Sequence, residues 1–525
     1  MENMVKAKTQ DDQSARLKSP DSIESIGRKT TLIFIIKMSL TVASFVGFFF
    51  VARFMGPEPV GIIGFALGFV GIFMASDYGF GMAHNKRISE GLDLKECLGA
   101  YTLIKCTITS IGVALLLLCL FFWEDMLGHG YQDPIQKQVI LVILAYYVLF
   151  SISDISTQTF GGLRQSAKQQ APEFIGTIAR MPMMIFVAVA ALGVVVLAMS
   201  YVLTGAIMFV ASLFLLRKYR FKRPSKKILK SFTLFAAPIA TMSIVQTVSV
   251  NLDKVIIQYF WDSTEVGYFF GIQRLTLLML VISGSLVPIF FSSISYYHTK
   301  KAKRTIKRLV AMAERYLSMI VTPIVVIFIV LAAPIIFILL SSSFLPGVRI
   351  MIWLSFYCLL VSLTQPQAYF LAGCDKPTLV AKIAFILSSL NIVFLLIFVP
   401  KSLFGVPLFG YGALGAAMAT TISTFVGLVV LKYYSKKVAG IRSSGRIIKH
   451  WIAGALMGIT LYLITENFWT ISRFYDLMFA TIFALACYLG FLALMKEFRK
   501  KELLYFIDIL NLRKMAKYIG LELRE

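Results

Sequence analysis

Arg180, in "GTIARMPMM", and Arg274, in "GIQRLTLLM", are arginines set deep within long apolar stretches. An ionised group at mid-depth of a bilayer costs at least about 2.5–3.5 kcal/mol, so a charge there points to a task. Each lies about seven to ten residues into its stretch, roughly 11–15 Å from the nearer end at a helical rise of about 1.5 Å per residue. Snorkelling over that distance is strained, which predicts that both face a hydrated cavity. Their chemistry suits an anion: a guanidinium grips phosphate oxygens bidentately, and a lysine attracts them as a point charge. Lys37, Lys105 and Lys382 stand only one or two turns from an end of their stretches and are placed to snorkel or to join the same cationic set. Arg53 and the pair Asp253-Lys254 stand at the opposite ends, where they anchor an interface or pair with each other. Asp77 and Asp154 are carboxylates able to neutralise nearby cations or to couple transport to an ion. Arg274, Arg180, Lys105, Lys37, Arg53 and Lys382 are therefore candidate substrate-binding residues. Asp77, Asp154, Asp253 and Lys254 are candidates for coupling or charge pairing.

Covalent chemistry finds no support in the pattern. No nucleophile–base pair, phosphate loop or metal-ligand spacing is legible, and His84, His129, His298 and His450 are scattered through different connections. The six cysteines lack CxxC spacing and read as small apolar packing residues. Neither cofactor, metal nor enzymatic activity is expected.

The elements that hold these charges are membrane spans. The chain of 525 residues is 58% hydrophobic and 15% charged, with a mean hydropathy of +0.79, whereas soluble domains carry about 25% charged residues. Apolar runs of about 20 residues recur from Leu32 to Met495, about fourteen in all. One apolar stretch is so long that it must break, and Gly193 is the expected point. The net charge of +25 could signal nucleic acid, but its placement argues for topology. The even-numbered connections are basic, as in "HNKR" (84–87), "RQSAK" (164–168) and "RKYRFKRPSKKILK" (217–230). The odd ones, such as "WDSTE" (261–265), are acidic or nearly neutral. By the positive-inside rule both termini are cytoplasmic, and no nucleic-acid partner is expected.

A duplication organises the spans. "RFMGPEPVG" (53–61) joins the first two, and "YFWDSTEVG" (259–267) joins the seventh and eighth, with Phe54, Val60 and Gly61 matching Phe260, Val266 and Gly267. Repeats an even number of spans apart are parallel, related by an axis along the membrane normal. The expected fold is an all-α integral membrane protein of two pseudo-symmetric six-helix lobes plus two extra C-terminal helices. Its segments are a disordered tail (1–30), an N-lobe (31–216), a basic linker (217–230), a C-lobe (231–431), two further spans (450–495) and an amphipathic cytoplasmic tail (496–525). Gly61, Gly64, Gly68 and Gly71 share about an 80° arc of the second span. Such a stripe permits close helix packing or a surface along which the span slides. On the same projection Asp77 falls opposite the stripe.

"ARFMGPEPVGIIGFALGFVGIFMASDYGFGMA" (52–83) resembles the first-hairpin signature of the polysaccharide flippases, O-antigen-type lipid-linked oligosaccharide translocases of the multidrug/oligosaccharidyl-lipid/polysaccharide exporter superfamily. "NLDKVIIQYFWDSTEVGYFFGIQRL" (251–275) is similar to the family's seventh-to-eighth span segment, and "GYGALGAAMATTIS" (410–423) to its twelfth span. The resemblance implies two lobes working by alternating access on a polyprenyl-linked glycan, with a cationic cavity. It further implies a monomer in the plasma membrane, surrounded by membrane lipids and serving glycan-assembly enzymes. The alternatives are a cation-coupled multidrug exporter of the same superfamily and a membrane glycan polymerase. The first would call for buried acids facing a cationic drug, whereas the candidate cavity charges are mostly basic and the first span has no acid; the second would call for a sizeable outer loop.

Overall fold

The computed structural model describes residues 23–75, 77–125, 134–374, 376–441 and 444–497, with side chains for all but 23–35, 77, 78, 123–125, 439 and most of 282–299. The tails expected to be disordered or amphipathic lie largely outside these residues. Helix α1 runs over Ile23–Met55, so it begins inside the segment expected to lack structure. Once a helix is nucleated, each added residue needs only one more hydrogen bond, and polar residues extend it past the apolar run.

After α1 come α2 (Pro57–Phe73), α3 (Asp77–Ser89), α4 (Leu94–Asp125), α5 (Pro134–Gly162), α6 (Ser166–Val189), α7 (Val194–Leu216), α8 (Lys226–Phe260) and α9 (Ser263–Thr299). Next are α10 (Lys303–Val330), the short α11 (Ala332–Leu339), a 3₁₀ turn (Ser342–Gly347), α12 (Val348–Gly373) and α13 (Pro377–Phe398). A two-stranded hairpin, β1 (Ser402–Leu403) and β2 (Val406–Pro407), precedes α14 (Gly412–Ala439), α15 (Arg446–Asn467) and α16 (Phe474–Leu494). Twelve helices among the described residues are long and apolar enough to cross a membrane, which makes this an all-helical multi-pass membrane protein.

The breaks follow local chemistry. Gly56 takes φ +81° between α1 and α2, a conformation glycine adopts without a Cβ penalty. Pro57 then opens α2, where its missing N–H costs nothing. Gly193, at φ +87°, divides α6 from α7. The second apolar run is not one helix, because α2 ends at Phe73 and α3 starts at Asp77. The helical projection that set Asp77 opposite the glycine stripe does not carry across that break, and the Asp77 side chain lies outside the described residues. Pro182, Pro238, Pro323 and Pro366 sit inside helices that continue through them. The hairpin was not expected from the sequence. Its turn residues Phe404 and Gly405 both take positive φ, as a tight two-residue hairpin loop requires.

The described residues form two compact units, one of residues 23–54 and 66–251, the other of 55–65 and 252–497. The first has its core around Tyr101, Phe160 and Phe232. The second is built around Val310, Phe370 and Leu371, with Met279, Val321 and Cys358 forming another cluster. Each unit contains a helix triplet packed in the same way. In the first, α5 and α6 both pack on α7; in the second, α12 and α13 both pack on α14.

The two copies of the repeated motif meet inside the second unit. A Cβ on Gly61 would lie 1.7 Å from the Ser263 carbonyl oxygen and 2.7 Å from the Gly267 nitrogen. One on Gly267 would lie 1.9 Å from the Pro57 carbonyl oxygen. Pro57 and Ser263 hold equivalent places in the two copies, as do Gly61 and Gly267, so the contact is reciprocal, like that across a two-fold axis. Gly64 likewise admits the Phe270 ring, at 2.7 Å from where its Cβ would stand. Here the glycine stripe serves close packing. Gly61→Val should lower membrane abundance several-fold, because the clash is with backbone and overpacking of this kind costs about 1–3 kcal/mol or more. Gly445→Ala is the control, since nothing lies within 4 Å of its Cβ position. Quantitative blots of both variants check this, and equal abundance would refute the crossing.

Candidate functional site

In the first unit, α1 and α6 run side by side in parallel, and their contacts form a ladder whose rungs are two turns and then one turn apart. Lys37 Nζ meets Glu173 Oε2 at 2.7 Å. Seven residues further on each helix, Arg180 Nη2 donates to the Ser44 hydroxyl at 3.4 Å. Beyond that, Gly47 gives room to Met184, whose sulfur lies 3.2 Å from the glycine's Cβ position. The Arg180 guanidinium also stacks over the Tyr201 ring of α7, 4.6 Å from its centroid. It is half-buried, and among the described residues no carboxylate stands within salt-bridge distance of it. Tyr201 belongs to an aromatic group with Tyr146, 5.7 Å away, and Tyr146 in turn packs on Tyr147.

Lys105 behaves differently from the snorkelling expectation. It is 1% exposed, and its ammonium meets Asp154 Oδ2 at 2.9 Å. Tyr101 donates its hydroxyl to the same oxygen at 3.0 Å, and Gln158 Nε2 donates to Oδ1 at 3.1 Å. The reason is geometric: Tyr101 and Lys105 are one turn apart on α4 and both donate to Asp154 on the facing α5, while Gln158, one turn further along α5, donates to the same carboxylate from within its own helix. His84 completes the group, stacked on Tyr101 at 4.3 Å with Nε2 at 2.8 Å from the Thr159 hydroxyl. Tyr101, Gln158 and His84 were missed from sequence, although the i, i+4 spacing was there to be read. Asp154 is thus paired with a cation of the neighbouring helix.

In the second unit, Asp253 and Lys254 are both buried and pair with each other at 3.1 Å. Arg274 is half-buried with its guanidinium over the Phe270 ring, 4.8 Å from the centroid. Lys382 is exposed on α13, and Arg53, in the first unit, is exposed at the end of α1. A further buried charge group had no counterpart in the sequence reading. Arg315 Nε donates to Glu497 Oε1 at 2.6 Å, with Arg446 and His450 of α15 at 3.8 and 3.5 Å from the same oxygen. Glu497 follows α16, so this cluster ties the last two helices to α10. Glu314, on the neighbouring position, pairs with Lys432 at 3.3 Å.

A bundle of apolar helices with carboxylates and cations paired across their faces defines a polytopic helical membrane protein. Its family is a specific one. The chain belongs to the polysaccharide biosynthesis protein family, whose sequence pattern matches residues 50–349, more than half of its length. It is 22% identical over 418 residues to the probable low-salt glycan biosynthesis flippase Agl15 of Haloferax volcanii, covering 79% of this chain and 85% of that one. Its fold is similar to that of a solved structure of the lipid II flippase MurJ, described as inward closed, with a TM-score of 0.72 at 17% identity over 89% of this chain and 99% of the other. An inward-facing multidrug resistance MATE family transporter of the MOP superfamily shares the fold at a TM-score of 0.62 and 16% identity, over 77% and 98%.

Proposed function

We propose that the protein is a flippase that carries a polyprenyl-(pyro)phosphate-linked oligosaccharide from the cytoplasmic to the outer leaflet, for cell-surface polysaccharide or glycan biosynthesis. The observation that carries this reading is the contrast between Arg180 and the two candidate lysines of its unit, Lys37 and Lys105. Lys37 and Lys105 each have a carboxylate, whereas Arg180 is held by a neutral hydroxyl and a tyrosine ring. A guanidinium poised without a counter-charge among apolar helices calls for an anionic ligand, and a lipid-linked diphosphate is one. Membership of the family and the similarity to a probable glycan flippase support the same reading.

The multidrug exporter alternative draws on the shared fold with MATE transporters. A cationic drug would need the opposite arrangement, an uncompensated carboxylate. Among the described residues Glu173, Asp154 and Asp253 are each paired with a lysine. Among the described residues no metal-ligating cluster favours the glycan polymerase alternative, and the reading is of a transporter rather than an enzyme.

The α2–α3 pair and α9, added to the twelve long apolar helices, give about fourteen spans. They make two six-helix lobes and two extra helices, with both termini in the cytoplasm of a plasma-membrane protein that works as a monomer by alternating access, alongside glycan-assembly enzymes. An inside-negative potential favours moving anions outward by about 2.3 kcal/mol per charge per 100 mV, so the diphosphate can be driven without an ion gradient. Proteoliposomes loaded with a fluorescent lipid-diphosphate oligosaccharide test this. Flipping should rise with inside-negative voltage and need no Na⁺ or H⁺ gradient. Inert vesicles that instead transport a cationic amphiphile on an ion gradient would select the exporter. Flipping that needs an ion gradient and ignores voltage would make Asp77 and Asp154 ion-site candidates.

A further inference from the structure

An apolar groove of about 520 Å³ runs between α6 and α7, walled by Ile175, Val210 and Phe214 and floored by Ala171, Ala206 and Ala211. Small residues make it. Gly176 lets α6 approach α7 until its Cβ position is 3.0 Å from the Thr204 carbonyl oxygen, and the alanines then leave a trough where longer side chains would have filled the surface. From Ala206 to Leu215 the trough is about 14 Å long at a rise of about 1.5 Å per residue. That is close to half of a hydrocarbon core of about 30 Å, the depth of one leaflet.

The two ends of the groove differ in charge. Along α7 the residues Ile207, Val210 and Phe214 lead directly to Arg217, whose guanidinium lies over the Phe214 ring at 3.9 Å from its centroid. On α6, Lys168 stands one turn before Ala171 and two turns before Ile175, on the same face. Both cations are exposed, and among the described residues neither has a carboxylate within salt-bridge distance. The basic connections 164–168 and 217–230 put this end at the cytoplasmic surface. A leaflet-deep apolar trough that opens onto two cations at headgroup level is complementary to one chemistry, an acyl chain bearing an anionic head. We propose that the groove is a binding site for an anionic phospholipid of the cytoplasmic leaflet, one chain lying between α6 and α7 and the phosphate held by Arg217 and Lys168. This site is separate from Arg180 and independent of what the protein transports.

The test is the thermal stability of the full-length purified protein titrated with phosphatidylglycerol or phosphatidylcholine, together with native mass spectrometry of retained lipid. Phosphatidylglycerol should raise the melting temperature more than phosphatidylcholine does, and one molecule should survive detergent exchange. In Lys168→Gln/Arg217→Gln that difference should shrink by at least half. Ala211→Phe, which fills the trough, should abolish retention of the lipid whatever its head; Ala206→Phe serves if that variant does not accumulate. Lys436→Gln/Lys437→Gln removes two cations from the end of α14 and should leave the preference unchanged. The site is refuted if the preference survives the first pair, if the control pair abolishes it equally, or if the filled groove still retains lipid. None of these readings depends on flipping, so they stand or fall apart from the transport assay.

Discussion

Arg180→Ala is expected to abolish glycan export while the amount of protein in the membrane stays near wild type. Among the described residues its polar and ring partners are the Ser44 hydroxyl and the Tyr201 ring, both neutral, so its removal strands no charge there. It also relieves the insertion cost of a cation deep in a span. What is lost is the grip on the anionic substrate. A hydrogen bond to a charged group contributes about 1.5–3 kcal/mol, so losing even one lowers transport by roughly 10- to 100-fold. Arg180→Lys should keep partial activity, because a point charge still attracts phosphate but cannot fork onto two oxygens. Export per unit of blotted protein across the three forms decides it. Normal export by well-expressed Arg180→Ala would remove this residue from the site and with it the main structural support for an anionic substrate.

Asp154→Leu should fail in the opposite way, by loss of the protein. Asp154 is the acceptor for Lys105, Tyr101 and Gln158 at once, and Lys105 is almost fully buried. Removing one member of a buried ion pair leaves the other uncompensated and costs about 3–5 kcal/mol, enough to unfold a marginal membrane domain. Adding Lys105→Met to Asp154→Leu removes the stranded ammonium and should restore abundance, since an apolar replacement of a buried pair is often neutral. Membrane abundance and thermal stability of the single and double variants read this out. Should Asp154→Leu accumulate normally, the pair holds nothing together, and Asp154 returns to being a candidate for ion coupling. Should the double variant fold but not transport, the pair serves the transport cycle as well.

The sequence by itself determined where the chain enters and leaves apolar surroundings. The long apolar runs, the alternation of basic and acidic connections, the turns at Gly56 and Gly193 and the echo of Gly61 in Gly267 are properties of short windows. Hydrocarbon thickness and backbone sterics act on such windows directly. The family resemblance rested on the same local signatures, and the match over residues 50–349 agrees with it. Tertiary structure alone decided which charges meet. Lys105 was legible as an intramembrane cation, but its burial against Asp154 depended on which face of α4 looks at α5. Lys37 and Arg180 were both legible as intramembrane cations, but it was not legible that Lys37 meets Glu173 while Arg180, among the described residues, meets Ser44 and Tyr201. The reason lies in the bilayer as solvent. Lipid is as apolar as a leucine side chain, so hydrophobicity does not fix the rotation of a span about its axis. Close backbone packing and polar pairing fix it, and both require knowing the neighbouring helix.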